Sequence, residues 1–123
     1  PLFKIDVGFT EQIVLNLLHN STLYTPAQSI IELKITNESD LCIISISDNG
    51  NGIAEEEMAL VFEKFYRLPN SKAGGSGLGL SIVKGFVEAQ QGTIALSKNQ
   101  NGGATFTIKI PAATSYINNL NNE

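Results

Sequence analysis

Two glycine clusters constrain this chain more than any other feature of it. Asp48-Asn49-Gly50-Asn51-Gly52 comes first and Gly74-Gly75-Ser76-Gly77-Leu78-Gly79 second, and each stands just ahead of a segment with helical character. Between them run an aromatic stretch, Phe62-Glu63-Lys64-Phe65-Tyr66-Arg67, and a polar loop over 68–76. Glycine tolerates positive φ and lets the backbone approach another group closely. Flexible backbone needed twice, so near together and each time at a helix start, asks for a cause.

The surrounding pattern gives the frame. Residues 2–7 alternate apolar and polar, which predicts an edge strand. Thr10 is the expected cap of a helix starting near Glu11, whose apolar residues keep helical spacing through 13–23 until Thr25-Pro26 ends it. Strands are predicted over 30–36 and 41–47 with turn chemistry at 37–40, hence a hairpin. A short helix or pair of turns follows over 54–65. An amphipathic helix covers 78–90 and stops at Gln91-Gly92. Strands over 93–97 and 104–110 flank an Asn/Gly loop at 99–103, and the polar tail 118–123 is expected to fray. Mixed helices and hairpins predict an α/β (α+β) two-layer sandwich, with a mixed, largely antiparallel sheet and helices on one face.

Bulk properties narrow the function classes. The 42% hydrophobic and 16% charged residues suit one packed domain over 1–123, with no internal repeat. A net charge of -4 argues against a nucleic-acid binder, which normally carries a basic face. One cysteine, Cys42, cannot form an internal disulfide. No apolar run reaches membrane-spanning length and no signal-like start is present. The chain opens on Pro1 rather than Met, so it is expected to be a domain of a longer protein.

Five stretches carry candidate chemistry. In Asn16-Leu17-Leu18-His19-Asn20 the two amides share one helix face, where they either hold a phosphate-bound Mg²⁺ or bond neighbouring loops. Asp48 ends a strand, where its carboxylate can accept a proton from an exocyclic amine or cap its own turn. Phe62 and Phe65 have the spacing of a helical apolar pair, and Arg67 on the loop rim can clamp a phosphate or simply be solvated. Gly75, Gly77 and Gly79 lead into a helix whose first N–H groups suit an anion. The spacing is neither the dinucleotide fingerprint nor a P-loop. Thr105 begins the last long strand.

Taken in order, these stretches resemble a known family over roughly residues 9–111: the ATP-binding catalytic domain of sensor histidine kinases, within the group that includes DNA gyrase, Hsp90 and MutL. Asn16–Pro26 resembles the N box, Asp48–Ile53 the G1 box, Phe62–Arg67 the F box and Gly74–Gly85 the G2 box. The resemblance implies ATP and Mg²⁺ as cofactors. It implies Asp48 at the adenine amino group and Gly50, Gly52 and Ile53 beside the base. Asn20, with Asn16 nearby, would hold Mg²⁺. Gly75, Gly77, Leu78, Gly79 and Leu80 would form the phosphate-side wall, with Tyr24 and Phe65 at the pocket rim, Thr105 supporting the adenine end and Arg67 at the γ-phosphate. The loop 68–76 would be a lid. The first glycine cluster then admits the base and the second the phosphates, which accounts for both.

Two departures from the pattern stand out. Leu23 occupies a position that usually carries a phosphate-contacting lysine, for which Lys72 in the lid is the candidate substitute. Ser21 replaces a usual alanine, with little effect expected. The implied function is phosphotransfer to a histidine on a separate dimerisation domain of the same parent, for onward transfer to a response regulator. Alternatives are a catalytically weak nucleotide-binding or interaction module and a stand-alone ATPase. The ATPases place a general-base glutamate where this chain has Asn16, which disfavours hydrolysis. His19, the only histidine, is followed by Asn20 and sits on the wrong helix to be a phosphoacceptor. The fragment is expected to be monomeric and cytoplasmic, without membrane contact of its own, in a membrane-anchored dimeric parent.

Overall fold

The computed structural model describes residues 2–3, 5–66, 79–112 and 114–115. The lid segment 68–76 and the tail 118–123 lie outside the described residues.

Strand β1 (Leu2–Phe3) is much shorter than the alternation at 2–7 predicts, and it pairs antiparallel with β6 (Thr114–Ser115). Helix α1 (Val7–Tyr24) starts four residues before the expected Glu11, because Asp6 caps it. The Asp6 carboxylate accepts from Phe9 N at 2.8 Å, satisfying a donor that would otherwise be orphaned. Thr10 is therefore interior to the helix and is not its cap; its hydroxyl is buried without a partner among the described residues. At the other end Thr25 N still reaches Ser21 O at 3.2 Å before Pro26 prevents a further turn.

Strands β2 (Ile31–Glu38) and β3 (Leu41–Asp48) pair antiparallel to the very end, leaving Ser39 and Asp40 as a two-residue turn. Both have positive φ, 49° and 61°, the hairpin turn whose twist matches its strands. β4 (Thr93–Lys98) and β5 (Ala104–Pro111) complete a sheet of order β2-β3-β5-β4 in which every pair is antiparallel. β3 and β5 are central, and period-2 alternation sorts their side chains. Cys42, Ile44, Ile46 and Asp48 of β3 and Ala104, Phe106, Ile108 and Ile110 of β5 are buried. The alternate positions Ser45, Ser47, Thr105 and Thr107 lie on the opposite, polar face.

Two helices cover the apolar face. Helix α1 contributes Ile13 and Leu17, and α3 (Gly79–Ala89) contributes Leu80, Val83 and Val87. Phe9 and Phe86 join the helices with ring centroids 5.0 Å apart. The expected stop of α3 at Gln91-Gly92 holds, but the left-handed residue is Gln91 (φ 58°), and Gly92 N closes the end on Val87 O at 2.9 Å. Between β3 and α3 in the chain, α2 (Glu55–Met58) is one turn long and continues as successive turns to Tyr66. Phe62 and Phe65 do not form a helical pair. Phe62 packs edge-on against Phe106 at 6.2 Å, whereas Phe65, at φ 65°, is 69% exposed. Burial pushes the Cys42 thiol pKa up, so it serves as a core side chain. No described helix is long and apolar enough to cross a membrane.

Candidate functional site

Asp48 is the last residue of β3 and falls on the helix-covered side, 4% exposed. A carboxylate at such a depth must be held by donors. Its Oδ1 accepts from Gly50 N at 2.9 Å and from Ala104 N at 3.3 Å, so it is fixed both by its own turn and by the start of β5. Of the two readings of Asp48, the turn-capping one is what these contacts show. Gly50 is tight rather than left-handed: a Cβ there would lie 3.1 Å from Thr25 Cγ2 and 3.2 Å from Asp48 Oδ1. The end of α1 and the first glycine cluster therefore meet at the carboxylate.

Gly52 does need positive φ (78°), and a Cβ on it would lie 2.5 Å from Gly102 O. The close approach is to the β4–β5 turn. Ile53 and Leu80 are core residues, 4% and 6% exposed, packed under this end of the sheet.

The two asparagines of α1 behave differently. Asn16 Nδ2 donates to Gln12 O at 2.7 Å, and a Cβ placed on Gly79 would lie 3.8 Å from Asn16 Oδ1. The Asn16 amide and the start of α3 are thus neighbours. Asn20 Nδ2 is buried with no hydrogen-bond partner among the described residues. Such a group is costly unless something else completes it. Tyr24 closes α1, but its side chain, like that of Leu23, lies outside the described residues, as do Arg67, Lys72, Gly75, Gly77 and Leu78.

Thr105 is the residue expected to support the adenine end. It lies on the sheet face away from the helices, with its hydroxyl 2.9 Å from Ser47 Oγ and 3.3 Å from Asn99 Nδ2. Strand alternation puts it there, since Ala104 and Phe106 on either side are buried. A cleft of about 350 Å³ opens at this end of the sheet, lined by Glu32, Ser47, Asp48, Asn99 and Asn101 among others.

Three contributors escaped the sequence. Gly103 and Ala104 abut Asp48, and Asn99 reaches it from across the hairpin turn; only the register of β3 on β5 brings them together. Ser21, a departure already visible in the sequence, is 1% exposed, and its hydroxyl has no partner among the described residues. Serine is a weaker helix former than alanine, and a lone buried hydroxyl costs stability. Ser21→Ala is expected to stabilise the fold by about 1 kcal/mol, read as a higher denaturation midpoint at unchanged m-value. A lower midpoint would mean that the hydroxyl has a partner.

Residues 5–114 match the family described as histidine kinase-, DNA gyrase B-, and HSP90-like ATPase. The circadian input-output histidine kinase CikA of Synechococcus elongatus is 39% identical over 116 residues, which cover 92% of this chain and 15% of that protein. Among solved structures, the mycobacterial sensor histidine kinase MprB superposes with a TM-score of 0.79 at 30% identity, covering 88% of this chain and 75% of that one. Full-length ShkA in complex with AMPPNP gives 0.80 at 28% identity, covering 94% of this chain and 24% of that one. The chain thus corresponds to a small part of the full-length proteins it matches.

Proposed function

The chain belongs to the histidine kinase-, DNA gyrase B-, and HSP90-like ATPase family, and from that premise we propose that it binds Mg-ATP and delivers the γ-phosphate to a histidine on a separate dimerisation domain. It is an ATP-binding domain of the sensor histidine kinase type. The observation that carries the proposal is the anchored carboxylate of Asp48, set beside a helix whose Asn20 Nδ2 is buried without a partner among the described residues.

Each residue then has a role. Asp48 accepts a hydrogen bond from the adenine amino group, a contact that distinguishes adenine from a base with a carbonyl there. Asn20 offers its carboxamide oxygen to Mg²⁺. Among the described residues no cluster of three His, Cys, Asp or Glu side chains could hold a metal ion. This suits a cation carried mainly by phosphates and water. When bound, the ion would neutralise charge developing on the phosphates. Gly79, at the start of α3 beside Asn16, borders the phosphate end, with Gly75, Gly77, Arg67 and Lys72 proposed to complete it.

Asn16 supports transfer over hydrolysis. An amide already donating to Gln12 O cannot take a proton from water as a carboxylate does. His19 is exposed on α1 within the nucleotide motif, so the acceptor imidazole is assigned to the dimerisation domain. The exposed Phe65 is the proposed docking point for that domain. Onward transfer to a response regulator, and a cytoplasmic place in a membrane-anchored parent, complete the proposal.

Isothermal titration with an ATP analogue, with and without Mg²⁺, tests it. Saturable binding strengthened by Mg²⁺ is expected, and Asp48→Asn should weaken it by at least about tenfold, the loss expected for a hydrogen bond to a charged group. Absence of binding at millimolar nucleotide would replace this reading with that of an interaction module.

A further inference from the structure

The β3–β5 ladder stops one residue short of Asp48. Its last register pair is Ser47 with Thr105. Ala104, the next residue along β5, donates to the Asp48 carboxylate. A part-buried carbonyl at a strand end needs a donor from elsewhere. Asn99 supplies it: Nδ2 donates to Asp48 O at 2.8 Å, the shortest of its contacts. The same nitrogen lies 3.3 Å from both Ala104 O and Thr105 Oγ1. Asn99 Oδ1 accepts from Asn101 N and Gly103 N, each at 3.0 Å. One carboxamide therefore shapes the β4–β5 turn with its oxygen and ties that turn to Asp48 with its nitrogen.

We propose that Asn99 is a positioning residue for base recognition: it fixes the peptide that carries Asp48, and so the place where the carboxylate meets the nucleobase. Asp48 is clamped at two points, its carbonyl by Asn99 and its Oδ1 by Gly50 N and Ala104 N. Asn49 N ties the other side of the same peptide to Ile30 O at 3.2 Å, so without Asn99 the peptide is held from the β2 side alone and can tilt. The carboxylate then leaves the narrow range of distance and angle in which a hydrogen bond is strong. The inference rests on the role proposed above for Asp48.

The two halves of the amide can be separated. Asn99→Asp keeps an acceptor for Asn101 N and Gly103 N but has no donor for Asp48 O. The readout is the ratio of ATP to ITP affinity, measured with thermal stability. ITP replaces the amino group with a carbonyl, while the negative charge that this substitution adds acts on both nucleotides alike and cancels in the ratio. Wild type should prefer ATP, and Asp48→Asn should abolish the preference. Asn99→Asp should reduce it by about tenfold. Should Asn99→Asp not fold, Asn99→Ser, whose hydroxyl still suits the turn but is too short to reach Asp48, is read in the same way.

Preference lost in Asp48→Asn but kept in the folded Asn99 variant, whatever its stability, would make Asn99 a turn residue only and overturn the inference alone. Preference unchanged in Asp48→Asn would overturn the reading of Asp48 and the inference with it.

Discussion

Gly103→Ala is expected to abolish nucleotide binding at concentrations that saturate the wild type. A Cβ on Gly103 would lie 2.1 Å from Asp48 O, 2.8 Å from Asp48 C and 2.7 Å from Asp48 Oδ1. Two of these three atoms belong to backbone, so no side-chain rotation relieves the collision. Either the β4–β5 turn lifts away or the end of β3 moves. Both break the contacts of Ala104 N and Asn99 Nδ2 with Asp48. Overpacking of this kind costs about 1–3 kcal/mol of stability, and affinity should fall by well over tenfold, since several contacts are lost together. Titration of the folded variant, with circular dichroism to establish folding, reads both. A folded Gly103→Ala domain that binds with wild-type affinity would show that Asp48 is not where the base is read.

Phe106→Ala should cause the largest loss of stability. Phe106 is fully buried at the centre of β5, it is the largest fully buried side chain, and it stacks edge-on with Phe62. Truncating a buried phenylalanine typically costs about 3–5 kcal/mol, through lost transfer energy and the cavity left behind. Small domains hold only about 5–15 kcal/mol in total. The variant should therefore unfold at much lower denaturant, and the turns around Phe62, whose ring lies 6.0 Å from Lys84 Nζ of α3, should loosen first. A loss below about 1 kcal/mol would mean that the core closes over the gap.

What was legible in the sequence was local. Helical apolar spacing located α1 and α3, turn residues located both hairpins, and strands were expected over 41–47 and 104–110, where β3 and β5 lie. These signals arise between residues a few positions apart, so they survive without knowledge of the fold. The same order of motifs made the nucleotide family recognisable. The start of α1 misread for an equally local reason: two possible caps, Asp6 and Thr10, compete, and the one whose side chain reaches an unpaired N–H defines the helix end.

Tertiary structure decided how the site is held. That Asn99 bonds a residue 51 positions earlier, and Ala104 one 56 positions earlier, follows from the register of β5 on β3. The face that Thr105 occupies follows from the same register, since shifting a strand by one residue would exchange its two faces. Spacing along the chain determined which residues could belong to a nucleotide site. The pairing of strands far apart in sequence decided which atoms meet at Asp48, because hydrogen bonds across a sheet depend on position in space rather than on distance along the chain.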